Sequence, residues 1–82
     1  MIAESEILRR LIRVVAEVYM VDPSTLGPDS GAADVPGWDS VSQVMLIMQI
    51  EDEFALSLPP ELLDGAENLG ELALTIGGLM PR

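Results

Sequence analysis

The sequence predicts an all-α fold: a four-helix bundle with three longer helices, a short third helix and a long first loop. Two observations carry this. Apolar residues make up 49% of the 82, yet only one Trp, one Tyr and one Phe are among them. The core must therefore be built from Leu, Ile, Val and Met, which suits packed helices better than a β-sandwich with its β-branched and aromatic alternation. The longer apolar segments also repeat at three- and four-residue steps, each giving one sticky face, and stripes of that kind bury one another in a bundle. The length predicts a single small domain, residues 1–82.

Residues 5–20 read as the first helix. Leu8, Leu11, Ile12, Val15, Val18 and Tyr19 fall on one face, Ser5 is the expected N-cap, and Glu6 suits the positive end of the helix dipole. Arg9, Arg10 and Arg13 lie on the polar side, where such a cluster usually forms a solvated face with weak ion pairs. Residues 21–38 are turn chemistry, with Pro23, Gly27, Pro28, Gly31, Pro36 and Gly37 interleaved with Asp and Ser. Asp22-Pro23-Ser24-Thr25 can cap one short helical turn. A connection this long is uncommon unless it is functional or anchored; Leu26 and Val35 are the expected anchors. Trp38 either covers the end of the bundle or stands exposed for recognition.

The second helix is expected over residues 40–55. Val44, Ile47, Ile50 and Phe54 should face the core, with Leu46 sharing that face. Val41, Met45 and Met48 form a second apolar stripe, which an 82-residue domain has difficulty burying and which therefore suits a partner. Pro60 opens a short helix through Asp64, stopped by Gly65. The last helix starts at Asn68, with Glu71 at capping-box spacing. Leu69, Leu72, Ala73 and Ile76 form its core face, and Gly77-Gly78 should end or fray it.

Composition excludes much. With 14 acidic and 4 basic residues the net charge is −10, so a nucleic acid or an anionic membrane would repel the chain. No cysteine is present, which removes disulfides, thiolate catalysis and zinc-finger frameworks. No apolar run reaches the roughly 18 residues of a membrane span, and the N-terminus lacks a signal-peptide pattern; a cytoplasmic location is the expectation. Without histidine or lysine, Ser40 has no partner for a hydrolase triad or a Ser–Lys pair. Glu51-Asp52-Glu53 does not match an EF-hand loop, and the phosphate-cradling glycine motifs are missing.

What remains is Gly37-Trp38-Asp39-Ser40-Val41, a serine on an acidic turn at a helix entrance. A helix N-terminus offers unpaired N–H groups and tolerates a phosphate. Asp39 or Ser40 could equally be a plain N-cap, with Gln43 completing a capping box.

At these residues the sequence resembles the acyl carrier protein family, including its polyketide and peptidyl carrier domains. That family's attachment motif is Asp-Ser-Leu after a small or aromatic residue. The resemblance continues through Glu51-Asp52-Glu53-Phe54, through Leu58-Pro59-Pro60-Glu61 and through a closing helix, and so covers nearly the whole chain. It implies an acyl-carrier-like four-helix bundle with no catalysis of its own. Ser40 Oγ would be the attachment point of 4′-phosphopantetheine, installed from coenzyme A by a separate magnesium-dependent phosphopantetheinyl transferase, with Asp39 helping to orient the site. The arm's thiol would carry acyl groups as thioesters. Partners would be the acyltransferase, ketosynthase or acyl-ligase enzymes of a polyketide, fatty-acid or related specialised pathway, and the carrier is expected to be a monomer.

Three departures stand out. Val41 replaces Leu, Ala55 stands where many members have Gly, and Met45 replaces the carboxylate typical of fatty-acid carriers. A docking face of Val41, Met45 and Met48 is therefore expected, with acids only at its far end, at Glu51 and Asp52, and at Glu61 and Asp64 in the short helix. The alternatives are an aminoacyl or peptidyl carrier, or a small helical interaction module that carries no prosthetic group; a hydrolase using Ser40 lacks its base.

Overall fold

In the computed structural model, which describes residues 3–80, α1 spans Glu4–Tyr19, α2 Ser42–Phe54, α3 Pro60–Gly65 and α4 Leu69–Leu79. There is no strand among the described residues, so the expected all-α, four-helix organisation holds. α1 packs against both α2 and α4, and the short α3 packs on α4. The core is almost entirely aliphatic, as composition requires, with Phe54 its one fully buried aromatic residue.

α1 starts one residue earlier than expected. Its N-cap is Ala3, in an extended conformation and without a side-chain cap bond. The N–H groups of Glu6 and Ile7 both reach Ala3 O at 3.0 Å, which puts Ser5 inside the first turn and rules it out as the cap. The buried stripe is Ile7, Leu11, Val14 and Val15, while Leu8, Ile12, Val18 and Tyr19 pack on its flank, half buried. The helix stops where Met20 turns into the left-handed region at φ 56°.

The arginine cluster is not the solvated face that its spacing suggests. Arg10 Nε donates to Glu53 Oε2 at 2.7 Å and Arg10 Nη2 to the Glu53 carbonyl at 2.7 Å. Its guanidinium lies 4.8 Å from the Phe54 ring centroid, a cation–π distance. Arg13 adds a bond to the same carboxylate at 3.0 Å. These two residues tie α1 to the end of α2; Arg9, paired with Glu6 on its own helix, lies on a solvated face.

The long loop is anchored at both ends of its course. Asp22 Oδ1 accepts from Ser24 N at 2.9 Å and caps the 3-10 turn Pro23–Thr25, as expected. Val35 is buried and Leu26 half buried. The carbonyls of Pro28 and Ser30 accept from Gly70 N and Leu69 N, each at 2.8 Å, satisfying two of the N–H groups that a helix start leaves orphaned. Gly31 permits this approach: a Cβ there would stand 2.8 Å from the Glu67 carbonyl oxygen.

In α2 the buried residues are Leu46, Ile50 and Phe54, with Ile47 half buried. Val44, expected in the core, is 62% exposed. It lies two residues from Leu46, about 200° around the helix, so once Leu46 faces inward Val44 must face out. α2 ends at Ala55, held at φ 54° where glycine would be unstrained. Pro60 takes the first position of α3, and Glu51 Oε2 accepts from Leu58 N at 2.7 Å to fix the approach to it.

α4 buries Leu69, Leu72, Ala73 and Ile76, the face that its periodicity predicts. Asn68 Oδ1 caps Glu71 N at 2.9 Å, but the Glu71 carboxylate reaches Glu67 N at 3.0 Å and not Asn68 itself. Gly77 and Gly78 neither end nor fray the helix, which runs on to Leu79. Gly77 instead packs against Ile7, whose Cδ1 would be 3.3 Å from an added Cβ.

Candidate functional site

The entrance to α2 is built by a short turn from Gly37 to Ser42. Gly37 sits at φ 91°, a conformation that disfavours any side chain. Asp39 follows, and its carbonyl accepts from Gln43 N at 3.0 Å. Asp39 Oδ1 accepts from Val41 N at 3.0 Å and from Ser42 N at 2.8 Å, while Ser42 Oγ accepts from Asp39 N at 3.1 Å. The capping box is therefore Asp39 with Ser42, and not Ser40 with Gln43. The N–H groups expected to be free for an anion are already taken by the Asp39 carboxylate. Those bonds, first the one from Ser42 N, hold the Asp39 carboxyl below the usual aspartate range.

Asp39 therefore does the capping, and Ser40 is released from it. Ser40 is exposed, and no side-chain hydrogen bond of this turn uses its hydroxyl. The chain has no histidine or lysine to activate it. Asp39, a weakened base with one oxygen committed to two N–H groups, cannot act as the missing histidine. Among the described residues no group of three or more acids could hold a metal ion. An uncommitted serine oxygen open to solvent fits a covalent attachment made by another enzyme.

Two residues from elsewhere brace the turn. Tyr19, at the end of α1, stacks on Trp38 with ring centroids 5.6 Å apart and planes inclined by 12°, and its hydroxyl lies 2.9 Å from Ser42 Oγ. Burial pushes the Tyr19 phenol up, the bond to Ser42 opposes this, and the charge of Asp39 adds to it. Trp38 is half buried and donates from Nε1 to Gln43 Oε1 at 3.0 Å. Gln43 Nε2 in turn donates to Asp64 Oδ1 at 2.6 Å on α3. Trp38 thus covers the end of the bundle and still shows an edge to solvent.

Along α2 from Ser40 runs an exposed apolar stripe. Val41 is 82% exposed, Met45 60% and Met48 61%, as their spacing predicts. The structure adds Val44, which closes the stripe into steps of three and four. Asp52 and Glu61 are exposed. Glu51 is half buried and turned to Leu58 N, and Asp64 is bonded to Gln43. Sequence reasoning missed Tyr19 and Ser42 as parts of the site. Ser42 had a visible signal, three residues after a capping Asp; Tyr19 had none, since its contact spans 23 residues.

Known proteins are similar to this chain along most of its length. The family model described as "Phosphopantetheine attachment site" matches residues 9–76. The chain is 30% identical over 74 residues to the meromycolate extension acyl carrier protein of Mycolicibacterium aurum, covering 90% of this chain and 76% of that one. It is 38% identical over 58 residues to the acyl carrier protein of Thermosynechococcus vestitus, covering 71% and 72%. Against the longer meromycolate extension acyl carrier protein of Mycobacterium leprae it is 28% identical over 75 residues, covering 92% of this chain and 65% of that one. Matched along most of its length, the chain belongs to the acyl carrier protein family: a carrier whose cofactor is phosphopantetheine, and not itself an enzyme.

Proposed function

We propose that Ser40 Oγ bears the phosphopantetheine, and that the chain presents acyl groups on it to the enzymes of a fatty-acid, polyketide or related specialised pathway. The observation that carries this reading is the exposed, uncommitted Ser40 hydroxyl beside a cap that Asp39 and Ser42 complete without it. In the modification, Ser40 Oγ attacks the pyrophosphate phosphorus of coenzyme A that bears the pantetheine. A new O–P bond forms as the bond to the nucleotide phosphate breaks, and the serine proton passes to the transferase. When bound, the group supplies a thiol that takes up an acyl chain as a thioester.

This chain's own residues hold the serine and receive the partners. The Asp39–Ser42 cap fixes the first turn of α2, and Val41, Val44, Met45 and Met48 give partners an apolar face. Fully burying one such side chain contributes about 1.5–3 kcal/mol, against below about 1 kcal/mol for an exposed ion pair. Docking is therefore dominated by apolar burial, with Asp52 and Glu61 at its rim. The similarity to carriers named for meromycolate extension supports a fatty-acyl cargo over an aminoacyl one.

Incubation of the purified protein with coenzyme A, magnesium and a broad-specificity phosphopantetheinyl transferase tests the assignment by intact mass. A single arm-sized gain that disappears in Ser40→Ala is expected. A folded wild type that gains nothing would leave the helical interaction module as the better reading.

A further inference from the structure

We infer that Tyr19 and Ser42 are positioning residues for the modification of Ser40, acting by holding its turn in one conformation. The inference rests on the assignment of Ser40 as the attachment residue. Ser42 Oγ stands at the centre of the turn: 2.9 Å from Gly37 O, 3.1 Å from Asp39 N, 3.2 Å from Asp39 O and 2.9 Å from the Tyr19 hydroxyl. A serine hydroxyl has one proton to donate and two lone pairs to accept with. Its best use here is to donate to the Gly37 carbonyl while accepting from Asp39 N–H and from Tyr19 O–H. That assignment leaves no capacity spare, and it joins the residue three before Ser40 to the residue two after it.

Tyr19 supplies the outside support. Its Cδ1 would lie 3.7 Å from a Cβ on Gly37, its ring stacks on Trp38, and its hydroxyl closes on Ser42. One side chain from α1 therefore lies against three residues of the turn on both sides of Ser40. Ser40 has no bond of its own to orient it, so its direction is inherited from this frame. A nucleophile delivered to another enzyme must meet its phosphorus at a defined distance and angle, and small misplacements are costly in rate. The proposed docking side chains are Val41, Val44, Met45 and Met48, whereas the hydroxyls of Tyr19 and Ser42 are turned to each other and to the turn. Loss of the frame should therefore lower kcat for arm addition and leave KM for the carrier alone.

The experiment follows arm addition to the full chain by intact mass, over a range of carrier concentrations with saturating coenzyme A, magnesium and the transferase. It uses wild type, Ser40→Ala, Tyr19→Phe, Ser42→Ala and Ser42→Thr well below their melting midpoints. Tyr19→Phe keeps the stacked ring, so the emission of the single tryptophan, Trp38, should stay put while kcat falls by about tenfold. Ser42→Ala should match or exceed that fall, Ser42→Thr should recover most of it, and KM should move by less than about twofold in all three. Unchanged kcat in Tyr19→Phe and Ser42→Ala, with or without a lowered melting point, overturns the inference while Ser40 stands. A rise in KM at constant kcat also overturns it and assigns the two residues to docking. Failure of wild type to gain an arm on Ser40 overturns both readings.

Discussion

Arg10 and Glu53, 43 residues apart in the chain, meet in a two-point contact that joins the middle of α1 to the end of α2. Their side chains retain 27% and 22% of their exposure, and the Arg10 guanidinium also covers Phe54. The pair lies at the opposite end of α2 from Ser40, and it fixes how α2 is set on the bundle.

The Arg10 guanidinium holds the Glu53 carboxyl below its ordinary value of 4.5, with Arg13 adding to the effect. A depressed carboxylate contributes stability that is present above its unfolded pKa and lost as pH falls through the folded one. Arg10→Gln should therefore cost about 1 kcal/mol at neutral pH. The gap between variant and wild type should close as pH drops below about 4.5. Urea melts of both proteins at neutral and acid pH measure it; a gap independent of pH would show that Arg10 acts through packing alone.

Met20 and Ala55 end their helices in the left-handed region, at φ 56° and 54°. Both are exposed, Met20 by 90%, so replacing either loses little burial. Relief of the αL strain outweighs the added freedom of the unfolded chain. Met20→Gly and Ala55→Gly should each stabilise by about 0.5–1 kcal/mol, and their double variant should be close to additive, as for separated sites. Thermal melts monitored by circular dichroism check this.

Asp39 caps α2 through Val41 N and Ser42 N. Asp39→Ala should lower the melting midpoint by several degrees and slow arm addition. Asp39→Asn, which keeps the accepting oxygen, should retain most of the stability. Equal losses in the two variants would show that the charge, and not the cap, is what matters.

If apolar burial dominates docking, Met45→Glu should weaken loading by a partner enzyme. Wild-type affinity should change little between low and high salt, because screening acts on exposed charges and not on buried methionines. Loading kinetics at two salt concentrations decide it: a steep loss with salt in the wild type, or no effect of Met45→Glu, contradicts the apolar docking face.

Periodicity predicted the α4 core completely, because Leu69, Leu72, Ala73 and Ile76 share one face at three- and four-residue steps, and Leu74, which falls off that face, is 57% exposed. It misplaced Val44 because α2 is apolar almost all round. In such a helix the inward face is chosen by tertiary contacts, here the burial of Leu46, Ile50 and Phe54. The candidate site, a serine beside an acid at a helix entrance, was visible in Asp39-Ser40. The division of labour between them was not, since it depends on which hydroxyl the turn consumes. The same holds for Arg10 and Tyr19: both look like ordinary helix residues until the packing of α1 on α2 brings Glu53 and Ser42 within reach.

Localising the arm within the modified protein tests the central claim most directly. Cleavage before aspartate releases a peptide that starts at Asp39 and holds both Ser40 and Ser42, and fragmentation of that peptide distinguishes the two. The whole mass gain is predicted on Ser40, with Ser42 unmodified. A gain on Ser42, or on a peptide that contains neither serine, would contradict it.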